Sequence, residues 1–526
     1  MMAKGYQYET VELTYAAVPD AENEAQIDLA AEFTCAADGS VTEVRGFYAG
    51  NGTCMVRFLP EQAGTYTYKV HGLVTDEGTL AVEPAREGHH GVVRARGIHF
   101  YFDDGTPYYG FGTTVYALAS QTDALMDETI ETLRHAPFNK IRMCVFPKHY
   151  QYNHNEPQHY AFEKGADGAW DPAHPCYAFW DAFEKRLSQL FEAGIQVDLI
   201  LFHPYDNWGF ATMPQKDNLI YLDYLLRRFA AFPGIWWSMA NEYDLCAAKT
   251  MDDWHEIEQF IAEHDPWHHL LSNHNCFQYY DVARPAITHM SWQTKQLSRI
   301  PEMQAKYGKP VCIDECCYEG NLPDQWGAIS GEEMTARFWR ATVRGAVCTH
   351  GETFYPDEKE IVWWAKGGKL VGKSPARIAF LRSIVESLPA PLEPQTSQLE
   401  QVMTLAGLPE EQVDQALEER KVPQDFRFFL KRVLRMSPIE AARFFACETE
   451  VIGRTADDSV ILHYYDIQCS CKARIELPGG KTYRLEVIDT WNMTRQTVQQ
   501  GAAGEVWVDL PGRPWMAVLA TAESAE

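Results

Sequence analysis

The sequence predicts an α/β chain: a TIM (β/α)8 barrel flanked by N-terminal and C-terminal β-sandwich domains. Three observations lead there. Between about residues 92 and 385, eight short apolar runs alternate with segments of helical period. That is the pattern of parallel βα units, and eight of them close a barrel. Before it, "VRGFYAGNGTCMVRFLPEQAGTYTYKV" alternates apolar and polar residues and breaks at "AGNG" and "EQAG", as antiparallel strands and their turns do. After it, strands return between "ARFFACETEVIGR" and "WMAVLAT", broken by "LPGGK" and "LPGRP".

The expected organisation is therefore an N-terminal β-sandwich over residues 1–88 and a catalytic barrel over 89–390. A linker and helical segment follows over 391–440, then a C-terminal β-sandwich over 441–526. The linker begins at the Pro-rich "ESLPAPLEPQT", whose prolines punctuate the chain. The barrel runs are "YYGFGTTVYAL", "NKIRMCVF", "IQVDLILFHPY", "IWWSMANE", "HHLLSNHN", "AITHMSW", "KPVCIDE" and "GAVCTHGETFY". Between them, Met126, Ile130 and Leu133 share one helix face, and Trp180, Phe183, Leu187 and Leu190 a second. Leu219, Leu222, Leu226 and Phe229 share a third, and Trp254, Ile257 and Ile261 a fourth, each at helical spacing. A doubly wound open sheet is the competing architecture, but no Gly-rich nucleotide loop follows the first run.

Composition narrows the function. The formal net charge of −27 argues against nucleic-acid and anionic-membrane partners. No apolar run is long enough to span a membrane, and the N-terminus lacks the basic and apolar regions of a signal peptide. Thirteen scattered cysteines fit reduced thiols in a cytoplasm better than a disulfide framework. None has zinc spacing, and neither a metal nor another cofactor is expected. Aromatics make up 13% of the chain, enough to wall a sugar pocket as well as to fill cores.

In a TIM barrel the chemistry sits at the C-terminal ends of the strands. Reading the last residues of each run gives Arg142, His203, Asn241 with Glu242, Asn273 with His274, and Trp292. The last two runs end at Asp314 with Glu315, and at His350, Glu352 and Tyr355. Two of these are carboxylates that close buried runs, Glu242 after strand four and Glu315 after strand seven. Across a barrel mouth such a pair is the equipment of a retaining glycosidase. One carboxylate attacks the anomeric carbon; the other protonates the departing oxygen and then deprotonates water. The two pKa values must be split, and Arg142 is expected to hold Glu315 ionised. His203, His274, Trp292, Glu352 and Tyr355 are candidate substrate-binding residues, and Trp363 and Trp364 a stacking platform.

"WWSMANEYD" resembles the strand-four motif of the large clan of (β/α)8 retaining glycoside hydrolases, and "KPVCIDECC" its strand-seven motif. Arg142 in "KIRMCVF" matches the clan's strand-two arginine. "GFYAGNGTCMVRFLPEQAGTYTYKV" and "VCTHGETFYPDEKEIVWWAKGGKL" are similar to a bacterial group with an N-terminal sandwich first catalogued as a domain of unknown function. Its characterised members cleave side chains of plant polysaccharides. The resemblance implies that Glu242 is the acid/base, Glu315 the nucleophile, and Asn241 a ligand of the sugar hydroxyl beside the anomeric carbon. Where the clan often has a Tyr after strand six, this sequence has Trp292; Tyr318 and Tyr355 are the alternatives for that role.

Two other functions compete. A metal-dependent barrel hydrolase would draw on His203, His274, His289 and Asp314, but strand one lacks a His-x-His pair. A non-catalytic carbohydrate-binding protein would have no need of both Glu residues. The flanking sandwiches are read as braces for the barrel or a homo-oligomer interface, with carbohydrate binding as the other reading. A cytoplasmic enzyme meets oligosaccharides or small glycosides rather than polymers, so exo-action from a blind pocket is expected. Tyr152, Trp170 and Trp364, in the loops after strands two and eight, are candidates for its walls.

Overall fold

The computed structural model describes residues 3–19, 22–355, 362–395, 405, 408–419, 422–437 and 450–523. The chain forms two compact units. The first is Met1–Lys295, Lys306–Met334 and Val347–Arg382; the second is Gln296–Ala305, Thr335–Ala346 and Ser383–Glu526.

The first unit holds the barrel. Its strands are β1 (Phe111–Thr114), β2 (Lys140–Cys144), β3 (Gln196–Phe202), β4 (Ile235–Ala240), β5 (Leu271–Ser272), β6 (Met290–Gln293), β7 (Val311–Glu315) and β8 (Val347–His350). All pair in parallel, in the order β5-β4-β3-β2-β1-β8-β7-β6. Every residue of β1, β2, β4, β7 and β8 is buried, as strands of a parallel barrel covered on both faces are. The short β5 meets the chain before β6 through Thr288, whose hydroxyl accepts the Leu271 N–H at 2.9 Å and whose own N–H reaches the Leu271 carbonyl.

The helices are α1 (Asp123–His135), α2 (Tyr177–Glu192), α3 (Gln215–Phe229), α4 (Met251–His264), α5 (Ile300–Tyr307), α6 (Gly331–Val343), α7 (Trp363–Lys366) and α8 (Ser374–Val385). The expected faces are buried: Met126, Ile130 and Leu133 on α1, Trp180, Phe183, Leu187 and Leu190 on α2, and Trp254, Ile257 and Ile261 on α4. On α3, Leu222, Leu226 and Phe229 are buried, while Leu219 is half-buried. Thr122 caps α1, and Thr250 with Asp253 forms a capping box on α4, satisfying amides that the first helical turn leaves open.

A hairpin, Val93–Arg96 with His99–Phe102, precedes β1. Its Val93 and Phe100 pack with Tyr108, Trp236, Leu270, Cys312 and Val347. Those partners lie at or before the starts of β4, β5, β7 and β8, so the hairpin plugs the N-terminal end of the barrel. Inside, Lys140 Nζ contacts Asp198 and Asp314 at 2.7 Å each, and Arg142 Nη1 contacts Asp314 at 3.1 Å. All four side chains are fully buried. Two cations balance two anions, the condition under which buried charge is tolerated.

The N-terminal sandwich stacks a five-stranded sheet on a three-stranded one. Strand Gly64–Gly72 alternates, burying Tyr66, Tyr68 and Val70. The rings of Phe33 and Phe58, one from each sheet, stack at 4.1 Å. The sandwich joins the barrel through Tyr224, whose hydroxyl donates to the Tyr48 carbonyl at 3.0 Å, and through Trp267 Nε1, which donates to the Leu59 carbonyl at 2.9 Å.

In the second unit, Glu393–Pro394 adds an edge strand to a six-stranded sheet, so the end of the Pro-rich segment is part of a sheet rather than a free linker. Ile461, Ile475, Leu485, Val508 and Val518 fill this domain's core. Helices Glu410–Glu419 and Gln424–Val433 bury Val413, Leu417 and Leu430 around Leu405. Most of α5 and α6 also belongs to this unit; on α6, Trp339 stacks on Tyr464. The expected start of the last sandwich, residues 441–449, lies outside the described residues, as do residues 356–361 of the loop after β8. Among the described residues, no helix is long and apolar enough to cross a membrane, and the cysteines are free thiols.

Candidate active site

The two carboxylates emerge where β4 and β7 end. Glu242 follows Ala240 and Asn241 and sits at φ 54, ψ 57. A left-handed conformation is costly for a residue with a Cβ and persists where the surroundings enforce it, most often at functional sites. Its backbone N–H donates to His274 Nδ1 at 3.3 Å. The Glu242 carboxylate takes a hydrogen bond from the Tyr205 hydroxyl and another from Asn241 Nδ2, at 3.2 Å. The Gln293 amide, turned so that its nitrogen faces two acceptors, donates to Glu242 Oε1 and to the Asn275 carbonyl, both at 3.2 Å. Glu315 accepts from the Tyr116 hydroxyl, which also contacts Asn241 Oδ1 at 2.9 Å. Tyr116 and Asn241 therefore link the two carboxylates. The Tyr318 hydroxyl also lowers the Glu315 pKa, though among the described residues it makes no hydrogen bond of its own. Gly351 makes room for this residue: a Cβ there would come within 2.3 Å of the Tyr318 ring.

Glu242 and Glu315 are 6% and 4% exposed, so neither carboxylate is freely hydrated. Burial first, and the Glu242 charge second, push the Glu315 carboxyl up to about 7; Tyr116, Tyr318 and Lys148 oppose the rise. Glu315 therefore keeps its proton until about that pH, because a second charge beside a buried carboxyl opposes its ionisation.

The cation that opposes the rise of the Glu315 pKa is Lys148 rather than the expected Arg142. Arg142 was expected to hold Glu315 ionised. Instead its guanidinium is spent on Asp314 and Asp198 inside the barrel, and the Glu315 pKa goes up, not down. The reason is strand geometry: Arg142, Asp198 and Asp314 all project into the barrel interior, one layer below the mouth. Lys148, just past β2, lies among the rings that surround the pair. Its Nζ lies 3.5 Å from the Tyr116 ring centroid, 4.2 Å from that of Tyr205, 4.7 Å from Tyr150 and 5.7 Å from Trp364. Burial pushes this ammonium's pKa down, while Cys144, Glu242 and Glu315 oppose the fall. The two nearest rings belong to the tyrosines that donate to the two carboxylates.

Of the other expected site residues, His274 touches Glu242 as above, and burial holds its pKa well below the ordinary value, so it is neutral. His203 is also neutral, held at about 4 by burial, with Nε2 3.2 Å from the Phe146 carbonyl. Trp292 is fully buried, with Tyr279 edge-on at 5.6 Å. Trp364 packs against Tyr116, Tyr150, Tyr152 and Tyr318 at ring separations of 5.1–5.8 Å, and Tyr355 meets Tyr152 at 5.7 Å. Trp363 belongs to the core, 2% exposed and bonded to Thr113. Trp170 stacks on Phe210 at 4.8 Å and donates to the Trp208 carbonyl.

Glu352 lies apart from the pair. It bridges Glu319 across a two-residue parallel ladder. The two carboxylates accept the N–H groups of Val371, Gly372, Lys373 and Ser374 at 2.7–3.1 Å, clasping the loop that enters α8. With His350 they form the one trio among the described residues whose ligand atoms gather within 4.8 Å. His203, His274, His289 and Asp314, the set a metal hydrolase would need, form no such group there.

Sequence reading missed Tyr116, Tyr205, Lys148 and Gln293. The first three lie two to four residues past the ends of β1, β3 and β2, so extending the strand-end rule into the loop starts would have found them.

Comparison with known proteins agrees with this architecture. The family described as "Apiosidase-like, catalytic domain" matches residues 96–374. Two domains of unknown function match on either side, DUF5060 at residues 5–72 and DUF5605 at residues 448–521. No curated protein matches the chain. A solved structure from Bacteroides vulgatus, provisionally named a glycoside hydrolase, is 31% identical, covers 99% of this chain and 100% of its own, and has a TM-score of 0.83. A family 5 glycoside hydrolase, also from Bacteroides vulgatus, is 13% identical with a TM-score of 0.57, covering 82% of this chain and 94% of its own. That second likeness extends to the fold alone.

Proposed function

Because this chain belongs to the family of apiosidase-like catalytic domains, and is thus a glycoside hydrolase, we propose that it works by retaining double displacement, with Glu315 as nucleophile and Glu242 as acid/base. The observation that carries the proposal is the pair itself: two buried carboxylates at the ends of β4 and β7, each held by a tyrosine hydroxyl and linked through Asn241.

The productive state has the charge on Glu315 and the pair's proton on Glu242. Substrate selects it. The electron-poor anomeric carbon favours an anion at Glu315, and the glycosidic oxygen accepts a hydrogen bond from protonated Glu242. Glu315 attacks, the C–O bond breaks, and Glu242 delivers its proton to the leaving oxygen. Glu242 then takes a proton from water as it displaces Glu315. Tyr116 and Lys148 stabilise the Glu315 anion before attack and after release, and Asn241 is assigned to the neighbouring sugar hydroxyl.

Exo-action on oligosaccharides or small glycosides is part of the proposal. The cluster of Tyr150, Tyr152, Trp364 and Tyr355 supports a mouth walled on one side. We also place the protein in the cytoplasm, on its free cysteines, and keep the four-segment domain division as our reading. The test is a screen of aryl glycosides, with the apioside first and then arabinofuranoside, xyloside, galactoside, glucoside, mannoside and fucoside. Product analysis on short oligosaccharides follows. Release of single sugars from chain ends supports the proposal; mixed longer fragments from the start contradict exo-action.

A further inference from the structure

We infer that the loop after β5 carries a subsite for the leaving group, with the exposed ring of Phe277 as its stacking platform. The inference rests on the assignment of Glu242 as acid/base.

Phe277 is 81% exposed. A single exposed apolar residue needs no explanation on its own; its mounting does. Asp244, two residues past Glu242, accepts the N–H groups of Cys276, Phe277 and Gln278 at 2.7, 2.7 and 2.8 Å. One carboxylate thus fixes three consecutive amides around the ring. Upstream, the Asn275 carbonyl shares the Gln293 amide with Glu242 Oε1. Downstream, Tyr279 packs on Trp292, and the Tyr280 hydroxyl donates to Glu258 at 2.7 Å. The loop is anchored on both sides, and twice to the Glu242 turn, yet its apolar tip faces water.

Asp244 follows Glu242 by two residues, a span of at most about 7 Å. The Cys276 thiol, on the residue before Phe277, lies close enough to Glu242 for that charge to add, after burial, to the rise of its pKa. The loop that carries Phe277 thus adjoins the acid/base, on the side from which a sugar leaves. An acid that protonates the glycosidic oxygen lies on the leaving-group side of that bond. The class of ligand is therefore a neutral ring, the first sugar or aryl group of the leaving portion, whose apolar face can cover the phenyl ring.

The test compares Phe277→Ala with wild type on two substrates that share the glycon found in the screen. One is the 4-nitrophenyl glycoside, whose leaving group has a ring; the other is the glycosyl fluoride, whose leaving group has none. Phe277→Ala is expected to lower kcat/KM about tenfold on the nitrophenyl glycoside and to leave the fluoride unchanged. Phe277→Trp should keep most of the activity on both. Equal loss on both substrates would make Phe277 a structural residue and overturn the subsite, as would no loss on either. If wild type hydrolyses neither substrate, the glycosidase assignment itself fails, and the subsite with it.

Discussion

Replacing Glu315 with Gln should make the protein more stable in alkali and not in acid. Folding raises this carboxyl from its ordinary 4.5 to about 7, through burial and then the Glu242 charge. Below about pH 4.5 the group is protonated in both the folded and unfolded chains, and folding bears no cost from it. Between 4.5 and 7 the unfolded chain has released the proton while the folded one keeps it, so stability falls as pH rises. Above 7 the full cost applies: a gap of about 2.5 pH units at about 1.36 kcal/mol each, or about 3 kcal/mol. Gln keeps the shape and, like the protonated carboxyl, carries no charge; the preference of the Tyr116 hydroxyl for the anion is already contained in the net rise. The variant should therefore gain about 3 kcal/mol at pH 8 and differ little from wild type at pH 4.5. Differential scanning calorimetry at the two pH values, at one scan rate, reads this as a Tm rise of a few degrees in alkali alone. An offset of the same size at both pH values would mean that the folded protein holds Glu315 near its ordinary pKa, and would refute the reasoning.

The remaining predictions concern turnover, pH dependence and the barrel interior. Glu242→Gln and Glu315→Gln should each lower kcat by at least about a thousandfold with circular dichroism unchanged; more than a tenth of wild-type activity in Glu315→Gln would remove it as nucleophile. Lys148→Met removes a cation that opposes the rise of the Glu315 pKa, so both limbs of the pH–kcat/KM profile should move to higher pH. An unmoved profile would show that Lys148 does not act on the pair. Lys140→Met leaves Asp198 and Asp314 sharing Arg142 alone, and should destabilise the first unit by about 3–5 kcal/mol in denaturant titration; an unchanged midpoint would contradict the buried network. Dialysis against EDTA should leave turnover unchanged, whereas complete loss restored by zinc or manganese would favour the metal-hydrolase alternative.

The eight strands were legible because barrel strands are buried on both faces and read as short apolar runs. The carboxylate pair was legible for a related reason: Glu242 and Glu315 break such runs at the end where the fold puts chemistry. What surrounds the pair was not. Tyr116, Tyr205, Lys148 and Gln293 come from four different strand–loop junctions, and no spacing along one chain says which junctions meet across a barrel mouth. Arg142 shows the same limit. Its charge was evident, but whether it served Glu315 or the interior depended on Asp198 and Asp314 facing inward beside it. Glu352 was misleading for a local reason: it closes a buried run as Glu242 and Glu315 do, yet its hydrogen bonds go to the amides entering α8. Pro394 marked a linker, and the structure makes it part of an edge strand, a place where proline is tolerated.

Azide rescue of Glu315→Gly, with the product's anomeric configuration read by proton NMR on the best aryl glycoside, tests the assignment of the pair most directly. Azide should restore turnover in this variant and yield a glycosyl azide of inverted configuration, because azide takes the place of the missing nucleophile while Glu242 still acts as acid. Rescue that yields the retained configuration would mean that the nucleophile is intact and that Glu315 is the acid/base, contradicting the roles assigned here.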